Sequence, residues 1–380
     1  MKVLLVSNYK NDGQDSMQKF ANFMAKGLAE SGQEVRVVRP VGLVGRLHAS
    51  GEGVGKWLGY VDKFGVFPAV LKLAIGWSDV VHICDHSNSF YTKHLQGKPH
   101  VVSCHDLMAV RSALGEVAQN QTRWTGRQLQ RMIVRGLVGA QHVACVSDAT
   151  KRDLLRVTQI PEQRVSRVYN SLNYPYSRME EGAARERIRQ LRVDPGAKFF
   201  LHVGGNQWYK NRLGVLRIFS YMRALLPHDE SKMIMVGKPW TAEMREFVKQ
   251  SRIGDATIEL PGIGNEDLRA LYSTAALLLF PSLEEGFGWP IIEAQSCGCP
   301  VVTSGRAPMD EVGGTAAVYV DPENPEEAAA AAVRALEKPG EWREASVRNA
   351  ARFSSNAMIN GYLSLYEKVC AGRSAGSWLN

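Results

Sequence analysis

Apolar runs that do not alternate with polar residues constrain this chain more than any other feature. Val80–Cys84, Phe199–Val203 and Ala275–Phe280 place mainly apolar residues at successive positions. Strands read this way when a parallel sheet is covered on both faces. In the first half the expected strands are Lys2–Ser7, Glu34–Arg39, Val80–Cys84, His100–Cys104, His142–Ser147 and Arg164–Tyr169. In the second half they are Phe199–Val203, Lys232–Val236, Thr257–Leu260, Ala275–Phe280 and Val301–Thr303. Helical patterns intervene, such as Asp15–Ser31, where Asp15 and Gln18 have the spacing of a capping box. A polar, charged stretch from Tyr174 to Pro195 separates the two series. The expectation is an α/β chain of two doubly wound, Rossmann-like domains, 1–173 and 174–355, with a last helix in 356–380.

At 380 residues and 45% hydrophobic content, the chain suits two cores of ordinary size and neither a disordered nor a fibrous class. Met1–Asn8 reads as a strand and lacks the longer apolar core of a signal peptide, so a cytoplasmic location is expected. Val66–Trp77 is the nearest approach to a membrane span, and Pro68, Lys72 and Gly76 interrupt it. Six cysteines (84, 104, 145, 297, 299 and 370) are scattered without zinc or disulfide spacing and read as reduced thiols. Cys297-Gly-Cys299 has no partner ligands, so no metal is expected.

Net charge is +8, unevenly spread. Residues 1–190 hold 26 Lys and Arg against 16 Asp and Glu, leaving 20 against 22 in the remainder. A basic half suggests an anionic acceptor, a membrane surface or nucleic acid. Arg123, Arg127, Arg131 and Arg135 recur every fourth residue beside Trp124, Met132, Ile133 and Leu137. That pattern fits both a membrane-surface helix and an ordinary solvated face. Aromatics do not interleave with the basic residues as a stacking platform would require, so nucleic acid is not expected.

The densest chemistry lies in Pro281–Thr303. Pro290 suits the first turn of a short helix, which Gly298 and Pro300 close. Glu285 falls in the loop beyond a strand's carboxyl end and Glu293 near the start of the helix. Gly286 and Gly288 let backbone approach a ligand and aim N–H groups at an anion such as a diphosphate. Two carboxylates there suit sugar hydroxyls as acceptors, or merely complement the helix dipole.

The run Glu285-Gly-Phe-Gly-Trp-Pro-Ile-Ile-Glu293, with Pro281-Ser282 before it and Ala294, Cys297-Gly298 and Pro300-Val-Val after it, resembles the Glu-x7-Glu signature of retaining glycosyltransferases of the GT-B fold, family 4 (glycosyl transferases group 1). The similarity extends through Leu260–Tyr272, Asp310–Gly314 and Val320–Pro322, covering the C-terminal half well and the N-terminal half loosely. The resemblance implies a hexose moved from a UDP-, GDP- or ADP-linked donor to a hydroxyl acceptor (a glycan, glycolipid or small molecule), with anomeric configuration retained and no metal. It also implies an active site in a cleft between an N-terminal acceptor domain and a C-terminal nucleotide-sugar domain, with the last helix crossing back to the first.

Residue by residue, the resemblance assigns Glu285 to the sugar, Glu293 to the ribose, Ile263 to the base through its backbone, and Lys210 with the Gly286–Gly288 amides, Phe287 included, to the diphosphate. Gly204, Gly205 and Asn206 form the turn before Lys210; relatives often carry an Arg where Tyr209 or Gly205 stands here, and Arg212 is a candidate substitute. His105, before Asp106, is assigned to the donor or acceptor hydroxyls, with a pKa near neutrality suited to proton transfer. His82 and His86 are weaker candidates. Gly13 stands in the first loop where relatives have paired glycines. Ser147 is expected to cap a helix, Asn170–Asn173 to form a hinge, and Gly51–Lys56 to be a loop at the acceptor entrance, since Ser50 and Trp57 violate a phosphate-loop pattern. His105, Lys210 and Glu285 are the expected catalytic residues. A sugar-nucleotide epimerase and a non-catalytic binding module are the rival readings, ahead of a glycoside hydrolase.

Overall fold

A computed structural model describes residues 1–42 and 59–376; the Gly51–Lys56 loop lies outside them. The chain forms two compact units, Met1–Asn173 with Ser355–Asn380, and Tyr174–Ser354. Each contains one six-stranded sheet, with parallel pairing throughout.

The first sheet consists of β1 (Lys2–Val6), β2 (Glu34–Val38), β3 (Val80–Ile83), β4 (His100–Cys104), β5 (His142–Cys145) and β6 (Val165–Arg167), in the order β2-β1-β3-β4-β5-β6. The second consists of β7 (Phe199–Gly204), β8 (Lys232–Gly237), β9 (Thr257–Pro261), β10 (Leu277–Phe280), β11 (Val301–Ser304) and β12 (Ala317–Val320), in the order β12-β11-β10-β7-β8-β9. Every expected strand is present with ends shifted by at most two residues. The added strand, β12, stands at the edge of the sheet beside β11. Its four residues, Ala317-Val-Tyr-Val320, are a continuous apolar run with Tyr319 partly exposed, so the signal was present in the sequence and was passed over.

The Ser355–Gly376 helix buries Met358, Ile359, Tyr362, Leu365, Tyr366 and Val369 in one core with Val3, Leu5, Phe20 and Met24 of the first unit. Beneath it, the His82 Nε2 lies 2.8 Å from the Ser103 hydroxyl and its Nδ1 2.7 Å from the Tyr366 hydroxyl. Burial drives the His82 pKa down to about 3, so this imidazole is a neutral packing group. Ser147 caps the Asp148–Thr158 helix, accepting from the Thr150 amide at 3.1 Å. The capping box expected at Asp15 is corrected: the helix starts at Asp15, Gln14 occupies the cap position, and the Gln18 amide donates to the Lys10 carbonyl at 3.4 Å. All six cysteines are free thiols, five of them buried. Among the described residues, no helix is long and apolar enough to cross a membrane.

Candidate active site

In the second sheet the chain order reverses between β7 and β10. Loops leaving such neighbours diverge to opposite faces and open a crevice at the strands' carboxyl ends. The β7 loop carries Gly204, Gly205, Asn206 and Lys210, and the β10 loop carries Glu285–Gly288. The Leu283 amide donates to the Tyr209 carbonyl at 2.7 Å, which ties one loop to the other. Across this tie the Lys210 ammonium donates to both Glu285 oxygens, at 2.7 and 2.9 Å. The two side chains are 18% and 7% exposed, respectively. Each is therefore the other's counter-charge, and a solute can still reach the lysine.

The local sequence explains this geometry. A Cβ on Gly237, at φ +140°, would overlap the Gly204 carbonyl, so the ends of β7 and β8 meet this closely only with glycine. Gly288 adopts φ 98° immediately before the Trp289–Ser296 helix, with Pro290 in its first turn. Asn211, in the left-handed region at φ 52°, donates to the carbonyls of Pro281 and Pro322 at 3.0 and 3.1 Å. These contacts fix the lysine's loop to the glutamate's strand.

Glu293 is buried, and the Tyr272 hydroxyl donates to its Oε2 at 3.0 Å. It is the fifth residue of the Trp289–Ser296 helix, one turn later than expected; its partner Tyr272 was not singled out, although it closes the Leu260–Tyr272 segment that resembles the family. Phe287 is a packing residue, edge-on to Trp289 and Phe353 with ring centroids 6.1 and 5.7 Å away, so only its backbone can serve a ligand. Asn206 is occupied at both ends: its amide donates to the Pro239 carbonyl at 2.7 Å and its oxygen accepts from Arg212. Arg212 is itself buried and also donates to the Lys238 carbonyl at 2.7 Å. It braces the turn before Lys210, and burial lowers its pKa. Ile263 is half-buried beside Gly262, which turns at φ +70° between β9 and the Asn265–Thr274 helix.

The first sheet reverses between β1 and β3, and polar groups gather there too. Buried Asp85 accepts from the Asn8 amide at 2.5 Å, and from the Ser87 amide and hydroxyl at 3.1 and 2.5 Å. His86 Nδ1 lies 3.1 Å from Asp85 at ion-pair distance. Burial lowers the His86 pKa, but Asp85 outweighs it and the net shift is upward. Asn8 and Asp85 were not singled out from sequence; the position of Asp85 beyond the carboxyl end of β3 was the available signal. His86, a weak candidate, belongs to this cluster, whereas His82 does not.

His105 is buried with Nε2 2.9 Å from the Cys84 carbonyl and Phe20 edge-on at 4.6 Å. A carbonyl only accepts, so Nε2 carries the proton and Nδ1 is left as an acceptor; Nδ1 is buried and has no hydrogen-bond partner among the described residues. Burial lowers the His105 pKa, which corrects the expectation of a near-neutral value. Asp106 accepts from the Met108 amide at 3.0 Å and so caps the following segment. Gly13 adopts φ 65° in a turn where an added Cβ would meet nothing within 4 Å; its glycine is required by the turn itself.

Two family models match the chain: Glycosyltransferase Family 4 over residues 17–174 and Glycosyl transferases group 1 over 184–353. The chain is 25% identical to O-antigen chain mannosyltransferase B of Escherichia coli over 68% of its own length and 66% of that protein. It is 29% identical to the D-inositol 3-phosphate glycosyltransferase of Thermobispora bispora over 61% and 59%. These matches span about two thirds or less of each relative. Among solved structures, sucrose-phosphate synthase from Thermosynechococcus elongatus superposes with a TM-score of 0.74 at 18% identity, covering 98% of this chain and 100% of that one. Anabaena HepE, solved with UDP and glucose, gives 0.71 at 14% identity, covering 96% and 98%. The structural likenesses establish the fold alone.

Proposed function

The chain belongs to the group 1 glycosyl transferases of family 4, enzymes of GT-B fold, and from that premise we propose that it moves a hexose from a nucleoside-diphosphate sugar to a hydroxyl acceptor with retention of configuration. The observation that carries the proposal is the Lys210–Glu285 pair at the β7/β10 reversal. A sugar diphosphate offers one partner for each: phosphate oxygens for the ammonium, hydroxyl donors for the carboxylate. Glu293, steadied by Tyr272, is assigned to the ribose hydroxyls, and the Ile263 backbone to the base.

In the proposed step the bond from the anomeric carbon to the diphosphate oxygen breaks as the acceptor oxygen bonds to the same face. The acceptor proton passes to the departing diphosphate. Lys210 and the amides of Gly286–Gly288 stabilise the charge that grows on that group, and no metal is required for it. On the first unit, His105 Nδ1 is assigned to accept a hydrogen bond from a sugar hydroxyl other than the attacking one, whose single proton goes to the diphosphate. Its lowered pKa keeps the ring neutral, so it positions that hydroxyl and takes no proton from it.

A thermal-shift screen of nucleotide sugars, followed by acceptors, tests the proposal. Mannose and glucose donors head it, because the relatives include mannosyltransferases and the HepE structures contain UDP-glucose or its parts. Stabilisation by one donor and transfer of its sugar is the expected result. Epimer formed from donor alone, or donor binding with no transfer to any acceptor, would replace the proposal with the epimerase or binding-module reading.

A further inference from the structure

We propose that the first unit docks on an anionic lipid bilayer through the outer face of the Trp124–Gly139 helix and the basic groove beside it. The helix is held by its inner face. Ser89 and Thr92 hydroxyls donate to the Ile133 and Gly136 carbonyls at 2.7 and 3.0 Å. A Cβ on Gly136 would overlap the Ser89 backbone. Ile133 and Leu137 are buried. The rotation of the helix is thereby set, and Arg123, Arg127, Arg131 and Arg135 all face solvent. Arg127, Arg131 and Arg135 lie four residues apart, so they form one stripe roughly 12 Å long.

An ordinary solvated helix in this molecule looks different. In Glu181–Gln190, Arg185 pairs with Glu181 and Arg189 with Glu186. Elsewhere on the first unit, Arg111, Arg156 and Arg167 each hold a carboxylate. The Trp124–Gly139 helix contains no acid, and none occurs from Val117 to Ser147. Like charges four residues apart disfavour a helix, so the stripe opposes the stability of its own element. An outside anion removes that opposition.

The positive face continues past the helix. A groove of about 480 Å³ has Phe90 and Met132 in its wall and Lys93 and Arg135 among its lining residues. Lys72 lies close enough that it and Lys93, after burial, depress the His94 pKa. Segments 63–78 and 86–105, which carry these lysines, contain no acid. Among the described residues, none of these six cations (Lys72, Lys93, Arg123, Arg127, Arg131 and Arg135) has a salt bridge. Trp124 is 71% and Leu73 85% exposed, which supplies apolar groups for the bilayer interface.

Cosedimentation of the full chain with vesicles tests this without reference to catalysis, so a failed sugar-transfer reading leaves it standing. Vesicles of equimolar phosphatidylglycerol and phosphatidylcholine are expected to bind the protein at low salt and release it at high salt. Phosphatidylcholine alone is expected not to bind. R127Q/R131Q/R135Q is expected to weaken binding at least about tenfold and Trp124→Ala by roughly threefold, with circular dichroism of both variants unchanged, melting of Trp124→Ala unchanged and melting of the triple variant equal to or slightly above wild type. Equal binding of wild type and triple variant, equal binding to neutral vesicles, or complete competition by free glycerol phosphate would each overturn the proposal. So would absence of vesicle binding alongside retention on an acidic protein or nucleic-acid column.

Discussion

The two sheets place polar groups at the same topological point and treat them oppositely. At the reversal of the second sheet, one ammonium and one carboxylate hold each other in a partly open pair. At the reversal of the first, Asp85 is enclosed by donors from Asn8 and Ser87 and by the His86 ring. A ligand that brings its own anion and hydroxyls can replace both partners of the open pair without leaving a buried charge. No ligand can draw Asp85 out at comparable cost, because a buried carboxylate stripped of partners is strongly destabilising. In the proposed function the second unit exchanges partners with a charged substrate, whereas the first holds a fixed, buried polar cluster.

The largest expected effect falls on the open pair. Lys210→Ala should lower kcat by about a hundredfold to a thousandfold with a smaller rise in KM, because the lysine counts most as charge develops. Steady-state kinetics with the donor found by screening measures this, and an unchanged kcat would abolish the distinction between the two sheet ends. Glu293→Ala comes next, with donor affinity falling about tenfold or more. It should also cost stability of about 1–3 kcal/mol, since the buried Tyr272 hydroxyl loses its acceptor. Tyr272→Phe separates the two effects. It keeps the carboxylate, so donor affinity by calorimetry should stay near wild type while a melting curve shows a small loss.

Sequence patterns revealed more of the second unit than of the first for a physical reason. Its site is local: Glu285 and Glu293 lie within one strand, loop and helix, and the spacing that places them also marks them. The first unit's cluster draws Asn8, Asp85 and His105 from three loops whose meeting depends on strand order. His105 was found because it follows a strand, but its lowered pKa comes from burial by Phe20 and its neighbours, which no local spacing encodes. The Lys210–Glu285 contact was likewise hidden, since 75 residues separate its members. Strands stood out because parallel pairing covers both faces; β12, apolar over Ala317–Val320, carries the same signal in only four residues and was passed over.

Acid should separate the units by a smaller margin. In the first, burial lowers the pKa of His82 to about 3 and of His142 to about 4, and also lowers His94, His100 and His105. In the second, His202 falls to about 3. Unfolded histidine takes a proton near pH 6.5. Below that the unfolded chain binds protons that the folded one refuses, so stability falls with pH until the folded values are reached. His86, with its raised pKa, acts in the opposite sense: its contribution is present below about pH 6.5 and lost above its folded value. Five lowered groups against one predict that β3–β5 amides lose hydrogen-exchange protection at a higher pH than β7–β10 amides. Simultaneous loss would show that the asymmetry does not govern acid stability.

The finest comparison is between two helix caps. Ser147 accepts from the Thr150 amide at 3.1 Å in the first unit, and Thr241 from the Met244 amide at 3.3 Å in the second. Ser147 is fully buried and also donates to the Thr150 hydroxyl at 2.9 Å, whereas Thr241 is exposed. Loss of a cap costs typically about 1 kcal/mol, so Ser147→Ala should exceed that figure and Thr241→Ala fall below it in chemical denaturation. The Thr150 hydroxyl also reaches the His105 carbonyl at 3.5 Å. If the first unit works as a rigid polar cluster, Ser147→Ala should raise the acceptor KM through His105 while donor affinity is unchanged, and Thr241→Ala should alter neither. A stability loss in Ser147→Ala without a change in acceptor KM would mean that His105 is held by Cys84 and Phe20 alone.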